Sequence, residues 1–524
     1  MRISRHLLTH PQRRSRRYAI VLAAALACAA TAPVPAQGDA APRAAAGARA
    51  GGGQLPTLGD GSELGASAER RLGDRIAREI YRDPDYLDDP VLAEYVDAIW
   101  QRLLTAARQR GEIPAELDER FAWEVMLGRD RTVNAFALPG GYLGLHLGLI
   151  GVVASRDELA SVLAHELSHV SQRHISRLIS KQNAQAPWVL GAMILGILAA
   201  GKSTDAANAL MVGGQAVAMQ NQLNFSRDME READRIGLAI LGDAGFAPQG
   251  FTGMFEKLQQ AARLNDNGAF PYLRSHPLTT ERIADMQSRM PLLAAAPAPA
   301  EGALDHAMAS ARARILSNPG VDALRLAVAE AASPGFAALP ATRQAGVLYG
   351  ATLASARLRD FAAAQATLAR LEALTSANTP AARLNRLLAA ELAAMTGQTA
   401  ALLPGSGRPE LLANTQILMR TGRAGDALSP LQTWLSRHPR DATAWQALSG
   451  ASAAHGQTLR AIRADAEALV ARLDYGAALD RLKAAQNLLR NAPRGAQVDH
   501  IEASIIDTRA RAVELLFREQ ALER

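Results

Sequence analysis

Cysteine is all but missing: the 524 residues hold one, Cys28. It lies in the apolar run YAIVLAAALACAATA (18–32), which follows Arg2, Arg5, Arg13, Arg14, Arg16 and Arg17 and precedes PVPAQ, where Val34 and Ala36 suit a signal peptidase. Residues 1–36 therefore read as a cleaved secretory signal peptide, with Arg16-Arg17 faintly suggesting twin-arginine export. Cleavage removes the only thiol, so disulfides and thiolate-bound zinc are both excluded, although the destination is oxidising. Excess positive charge leaves with the same segment. Without its six arginines, 51 basic residues face 51 acidic ones. A pI of 9.7 is then no footprint for nucleic acid. Apolar runs of membrane-spanning length are lacking too. The run from Trp188 to Ala200 would measure about 20 Å as a helix, short of a bilayer crossing. It reads as a lid over a cleft, or as a contact with a membrane surface.

A chain of this length exceeds a single core and divides into domains. Residues 37–66 are Ala, Gly and Pro without period, a flexible leader. From 67 to 290 the pattern mixes helical spacing with short strand-like pieces: FAWEVMLG, then VNAFALPGG and YLGLHLGLI around a Pro-Gly-Gly turn. This predicts an α+β domain. Residues 291–303 are a Pro/Ala linker, and 304–524 carry helical spacing only. There Gly422 and Gly456, Ala427 and Ala461, and Leu411 and Trp445 each stand 34 apart, the tetratricopeptide period. RDFAAAQATL and LDYGAALDRL read as drifted fragments of the same unit. Stacked helix pairs make a concave surface suited to holding other proteins.

The chemistry concentrates in LAHELSHVSQRH (163–174). Imidazoles reach one ion from a helix only if they share a face, and a spacing of four provides that. On a wheel with His165 at zero, His169 falls at about 40°, while Leu159, Leu163, Leu167, Val170 and Leu178 cluster between about 120° and 220°. His174 falls at about 180°, on the packing side, and is no ligand candidate. Glu166, one step round from His165, can reach a metal-bound water as general base without itself binding the ion. A third ligand is needed from another helix, and SRDMEREADRIG offers Glu230 and Glu232 on opposite faces. Glu230 shares its face with Asp234 and Gly237. We assign Glu230 as the ligand, Asp234 as the group that holds a ligand histidine by its other nitrogen, and Gly237 as the point of close helix approach.

His165, Glu166 and His169, followed by Glu230, Ala233 and Asp234 in an E-x-x-A-D arrangement, resemble the zinc peptidases that include the CAAX prenyl proteases and the membrane protease HtpX. The resemblance implies an α+β zincin-like metallopeptidase domain, here followed by an all-α tetratricopeptide-type domain, and one Zn2+ per chain. It further implies that VNAFALPGG supplies an edge strand, Asn134, Ala135, Phe136 and Ala137, along which an extended substrate lies. His276, in the loop SHP, would be a fourth ligand or switch holding the enzyme latent, and Arg282 a transition-state or switch partner. With the signal peptide and repeats, the expected protein is a periplasmic zinc endopeptidase of a Gram-negative envelope, degrading misfolded or stalled outer-membrane proteins and assisting their assembly. The rival expectation is a chaperone or scaffold for such proteins in which zinc is structural or latent. A base at Glu166 speaks against the rival, since a structural site has no use for one.

Overall fold

A computed structural model describes residues 64–181, 226–263, 270–289, 302–318, 320–491 and 499–522. The expected signal peptide, the leader to residue 63, the Trp188–Ala200 run and most of the 291–303 linker lie outside them.

Helix α1 (Ala66–Arg82) is followed by α2 (Pro90–Gln109), whose start is fixed by Pro90 at its first position and by Asp89, whose side chain accepts from the Leu92 N–H. Its apolar stripe of Leu92, Val96, Ile99, Leu103 and Leu104 is buried. A short α3 (Ala115–Arg120) leads into three strands: β1 (Glu124–Gly128), β2 (Ala135–Leu138) and β3 (Tyr142–His146). The sheet order is β1-β3-β2, with β3 parallel to β1 and antiparallel to β2. Strand β2 is thus an edge strand among the described residues. The turn between β2 and β3 needs its glycines: Gly140 and Gly141 hold φ of 72° and 87°, and a Cβ on Gly140 would stand 2.7 Å from the Arg70 Cα.

The expectation that YLGLHLGLI is one strand is half right. The chain leaves the sheet at His146 and forms α4 (Leu147–Val152), with Leu147, Leu149 and Ile150 fully buried. A short apolar run with alternating glycines fits either element, and tertiary packing decided for the helix.

Helix α5 (Arg156–Ser171) starts at Ser155, whose hydroxyl accepts from the Glu158 N–H, and every residue from Glu158 to Ser171 is buried. It ends earlier than its pattern suggests. Arg173 takes a φ of 53°, and a new helix, α6 (His174–Lys181), begins at His174. Across α5 lies α7 (Arg227–Asp243). A Cβ on Gly237 would sit 3.1 Å from the Ala164 carbonyl and the His165 nitrogen, so the two backbones nearly touch there. Helices α8 (Gln249–Arg263), α9 (Tyr272–Ser275) and α10 (Thr280–Arg289) close this part.

The region beyond is largely helical: α11 (Gly302–Ser317), α12 (Val321–Ala331), α13 (Ala341–Arg357), α14 (Phe361–Thr375), α15 (Thr379–Thr396), α16 (Arg408–Arg420), α17 (Ala424–Arg437), α18 (Ala442–Ala454), α19 (Thr458–Ala471), α20 (Tyr475–Arg490) and α21 (His500–Leu522). One turn recurs in it. At Arg359, Gly422, Gly456 and Leu473 a single left-handed residue separates two helices. In each case the next N–H donates back to a carbonyl five residues earlier: Asp360 to Ser355, Arg423 to Leu418, Gln457 to Ser452, Asp474 to Leu469. The apolar core does not stop at the linker, for Met308, Ile315, Leu348 and Leu388 belong to the same buried cluster as Leu92 and Leu163. Ion pairs reinforce the join. Arg312 grips Asp89 at 2.6 Å, Arg383 bridges Glu94 and Glu410, and Arg408 bridges Asp88 and Asp441. No described helix is long and apolar enough to cross a membrane.

Candidate metal centre

The four-residue spacing on α5 sets the His165 and His169 rings side by side, with Nε2 atoms 3.0 Å apart. Helix α7 brings Glu230 to them: Oε2 lies 3.6 Å from His165 Nε2 and Oε1 lies 3.4 Å from His169 Nε2. The loop after α9 adds His276, whose Nδ1 stands 3.0 Å from Glu230 Oε1 and 3.3 Å from His165 Nε2. All four side chains are buried, and each offers one ligand atom within 4.8 Å of the others. Donors at ~2.0 Å from a tetrahedral ion would be about 3.3 Å apart, so these spacings fit a single ion of that kind. An ion at this point would take both Nε2 lone pairs; without one, one ring must donate to the other. Burial disfavours charge on His165, yet Asp234 and Glu230 outweigh it and push its pKa up to about 10. Burial also opposes the Glu230 charge, but His276, His165 and His169 hold its carboxyl well below the usual range.

Behind the donors stands a second set of contacts. His165 Nδ1 lies 2.9 Å from Asp234 Oδ1, and Asp234 is gripped by Arg282 through Nε at 2.6 Å and Nη2 at 2.8 Å. Arg282 also donates to the Pro277 carbonyl at 3.0 Å and sets Nη1 2.7 Å from Glu230 Oε2. One arginine therefore ties the His276 loop to α7. Burial works against the Asp234 charge, and Arg282 with His165 depresses its pKa nonetheless. On the other histidine, His169 Nδ1 meets His174 Nδ1 at 2.8 Å, and His174 Nε2 meets Glu232 Oε2 at 3.1 Å. Burial lowers the His174 pKa to about 4 despite that carboxylate, so the ring is neutral near pH 7.

Glu166 is fully buried, and neither carboxylate oxygen accepts a hydrogen bond from the described residues; His276 Nε2 stands 3.5 Å from Oε1. A buried carboxylate beside a donor cluster is placed to accept a proton from a water at that cluster. Tyr272 stacks on His276 at 4.6 Å between ring centres, and its N–H reaches the Val133 carbonyl at 3.4 Å. That bond joins the His276 loop to the segment entering β2. Of the expected edge strand, Ala135, Phe136 and Ala137 lie in β2. Asn134 precedes it, its carbonyl accepts from the His146 N–H at 3.0 Å, and its Oδ1 is buried without a partner among the described residues.

The structure thus brings His165, Glu166, His169, Glu230, Asp234, His276 and Arg282 to one place. It adds Tyr272, which the motifs did not single out, and Glu232 and His174, both passed over as ligands on the wheel. The wheel angle for His174 assumed one continuous helix, and the break at Arg173 voids it. Glu232 faces away from Glu230 along α7, as expected, and is met there by α6.

A helix-borne histidine pair, a carboxylate from a second helix and a free buried glutamate beside them define a metal-dependent hydrolase. The pattern of residues 91–290 matches peptidase family M48. The chain is 32% identical to the putative beta-barrel assembly-enhancing protease of Vibrio cholerae, over 83% of this chain and 88% of that one. It is 29% identical to the beta-barrel assembly-enhancing protease of Escherichia coli K12, over 81% and 86%. It also resembles the mitochondrial metalloendopeptidase OMA1 of Saccharomyces cerevisiae, 29% identical over 37% of this chain and 55% of the relative. The chain belongs to peptidase family M48 and is a metallopeptidase.

Proposed function

We propose that the protein is a zinc endopeptidase that cuts outer-membrane proteins which have misfolded or stalled during assembly, working in the periplasm. The observation that carries this is the buried donor set of His165, His169, Glu230 and His276 with the Glu166 carboxylate beside it, which accepts no hydrogen bond from the described residues. His165, His169 and Glu230 would hold the zinc. When bound, the ion supplies a lowered pKa for a water and polarisation for a peptide carbonyl. The chain's own residues do the rest. Glu166 takes the water's proton and passes it to the departing amine. Asp234 orients His165 and is itself fixed by Arg282. The free edge of β2 pairs with an extended substrate through backbone groups, with Asn134 at its entrance.

The repeated left-handed turns at Gly422 and Gly456, 34 residues apart, support a tetratricopeptide-type surface that recruits unfolded clients. The names of the assembly-enhancing relatives support outer-membrane proteins as those clients, and residues 1–36 support export. His276 favours a second reading of the resting protein. Its place in the donor set would complete four-fold ligation and hold the site latent, so that the chain acts as a scaffold until the loop withdraws.

Glu166→Gln tests the catalytic role. Cleavage of a loosely folded outer-membrane protein should fall by about 10²–10⁴-fold, while zinc measured per chain stays at that of the wild type. Undiminished cutting by the Glu166→Gln variant would remove the assignment of the base.

A further inference from the structure

The two histidines of the donor set are held from behind in different ways. His165 faces a carboxylate directly. His169 faces another imidazole, His174, which is fully buried and touches it Nδ1 to Nδ1 at 2.8 Å. His169 turns Nε2 toward the donor set, 3.4 Å from Glu230 Oε1, so its Nδ1 is left to carry the proton. Two Nδ1 atoms 2.8 Å apart need one donor and one acceptor. His174 must then accept at Nδ1 and carry its own proton on Nε2, which points at Glu232 Oε2, 3.1 Å away. Arg177 Nη1 reaches the same oxygen at 3.0 Å and keeps the carboxylate ionised. Every proton in the line His169, His174, Glu232 is thereby assigned.

We propose that His174 and Glu232 are positioning residues for His169, a two-link relay that fixes its tautomer and ring orientation toward the metal. The inference rests on the metal-site reading above. It makes a single stretch of α7 the support of both α5 histidines: Glu230 as ligand beside them, Asp234 behind His165, and Glu232 behind His169 by way of His174. The break at Arg173 is what allows this. An uninterrupted α5 would carry residue 174 round to the far face, whereas the left-handed residue restarts the helix with His174 folded back on His169. The interposed neutral ring has a chemical effect. A carboxylate set directly behind a ligand imidazole raises its basicity, and His174 delivers orientation without placing a second full charge at that distance.

The test uses the full-length protein and zinc affinity read by chelator competition, with wild-type binding as the reference. His174→Leu removes the acceptor and should weaken zinc by about 10–100-fold. His174→Asn returns an acceptor to the Nδ1 position and should recover most of that loss, which a merely space-filling role would not predict. Glu232→Ala, at a side chain 29% exposed, should weaken zinc in the same direction by several-fold. Nitrogen-15 spectra of the zinc-loaded protein should show His169 protonated at Nδ1 in the wild type and in His174→Asn. Wild-type affinity in folded His174→Leu, or equal losses in the Leu and Asn variants, overturns the proposal. Should His174→Leu fail to fold, an unchanged affinity in Glu232→Ala overturns it alone. Failure of the wild type itself to bind zinc would instead sink the metal-site reading.

Discussion

Arg282 shows how much of this site depends on single buried charges. Its guanidinium and the Asp234 carboxylate are both nearly inaccessible, and removing one partner leaves the other charged in a low-dielectric interior. Arg282→Ala should cost about 3–5 kcal/mol of stability, read as a lowered denaturant midpoint, and should release the His276 loop that Arg282 holds through Pro277. A midpoint within error of the wild type would mean that Asp234 finds water instead. The convergence of the residues proposed to carry the chemistry was legible in the sequence, because His165, Glu166 and His169 obey one helix's geometry and Glu230 obeys another's. His174 and Glu232 were not. Their contact depends on a backbone break at Arg173 that no periodicity announces, a non-glycine residue in the left-handed region.

At the scale of elements, the turns of the helical region offer a comparison within one chain. Gly422 and Gly456 adopt the left-handed conformation without strain, whereas Arg359 holds a φ of 62° in the same hydrogen-bonded turn. That conformation costs an L-residue roughly 1–2 kcal/mol, and part of the gain from glycine is offset by its greater freedom when unfolded. Arg359, exposed at its turn, should therefore stabilise the protein by about 0.5–1 kcal/mol when changed to glycine, seen as a higher melting temperature. A lower one would show that its side chain has a role the turn does not reveal. Glycine spacing made two of these turns readable beforehand; Arg359 and Leu473 were visible only as drifted fragments. The α4 helix was misread for a different reason. Leucine and glycine in alternation satisfy a strand pattern, and only packing on α11 settles the matter.

For the whole molecule, the sequence suggested a linker between two domains, but the described residues on its two sides share one core, one buried ion pair (Arg312–Asp89) and several half-buried ones. Contacts between elements distant in sequence, such as Arg312 with Asp89, leave no local signal. Heating should accordingly unfold the peptidase part and helices α11–α15 in one calorimetric transition; two separated transitions would contradict the shared core. Acid should weaken the contact of α16 with the start of α18. Burial opposes the Asp441 charge, but Arg408 depresses its pKa below the usual 3.8. This pair therefore stabilises the fold above that value and loses its contribution as pH falls through the lower, folded one. Asp441→Asn should be less stable than wild type at neutral pH and lose less on acidification, which urea midpoints at pH 7 and pH 3 would measure; parallel curves would remove Asp441 from the account. The claim that matters most is that one ion sits where α5, α7 and the His276 loop converge. Anomalous diffraction at the zinc edge from zinc-loaded crystals tests it directly. One peak is predicted, about 2.0–2.1 Å from the Nε2 atoms of His165 and His169 and beside Glu230; stoichiometric zinc located anywhere else in the chain would contradict it.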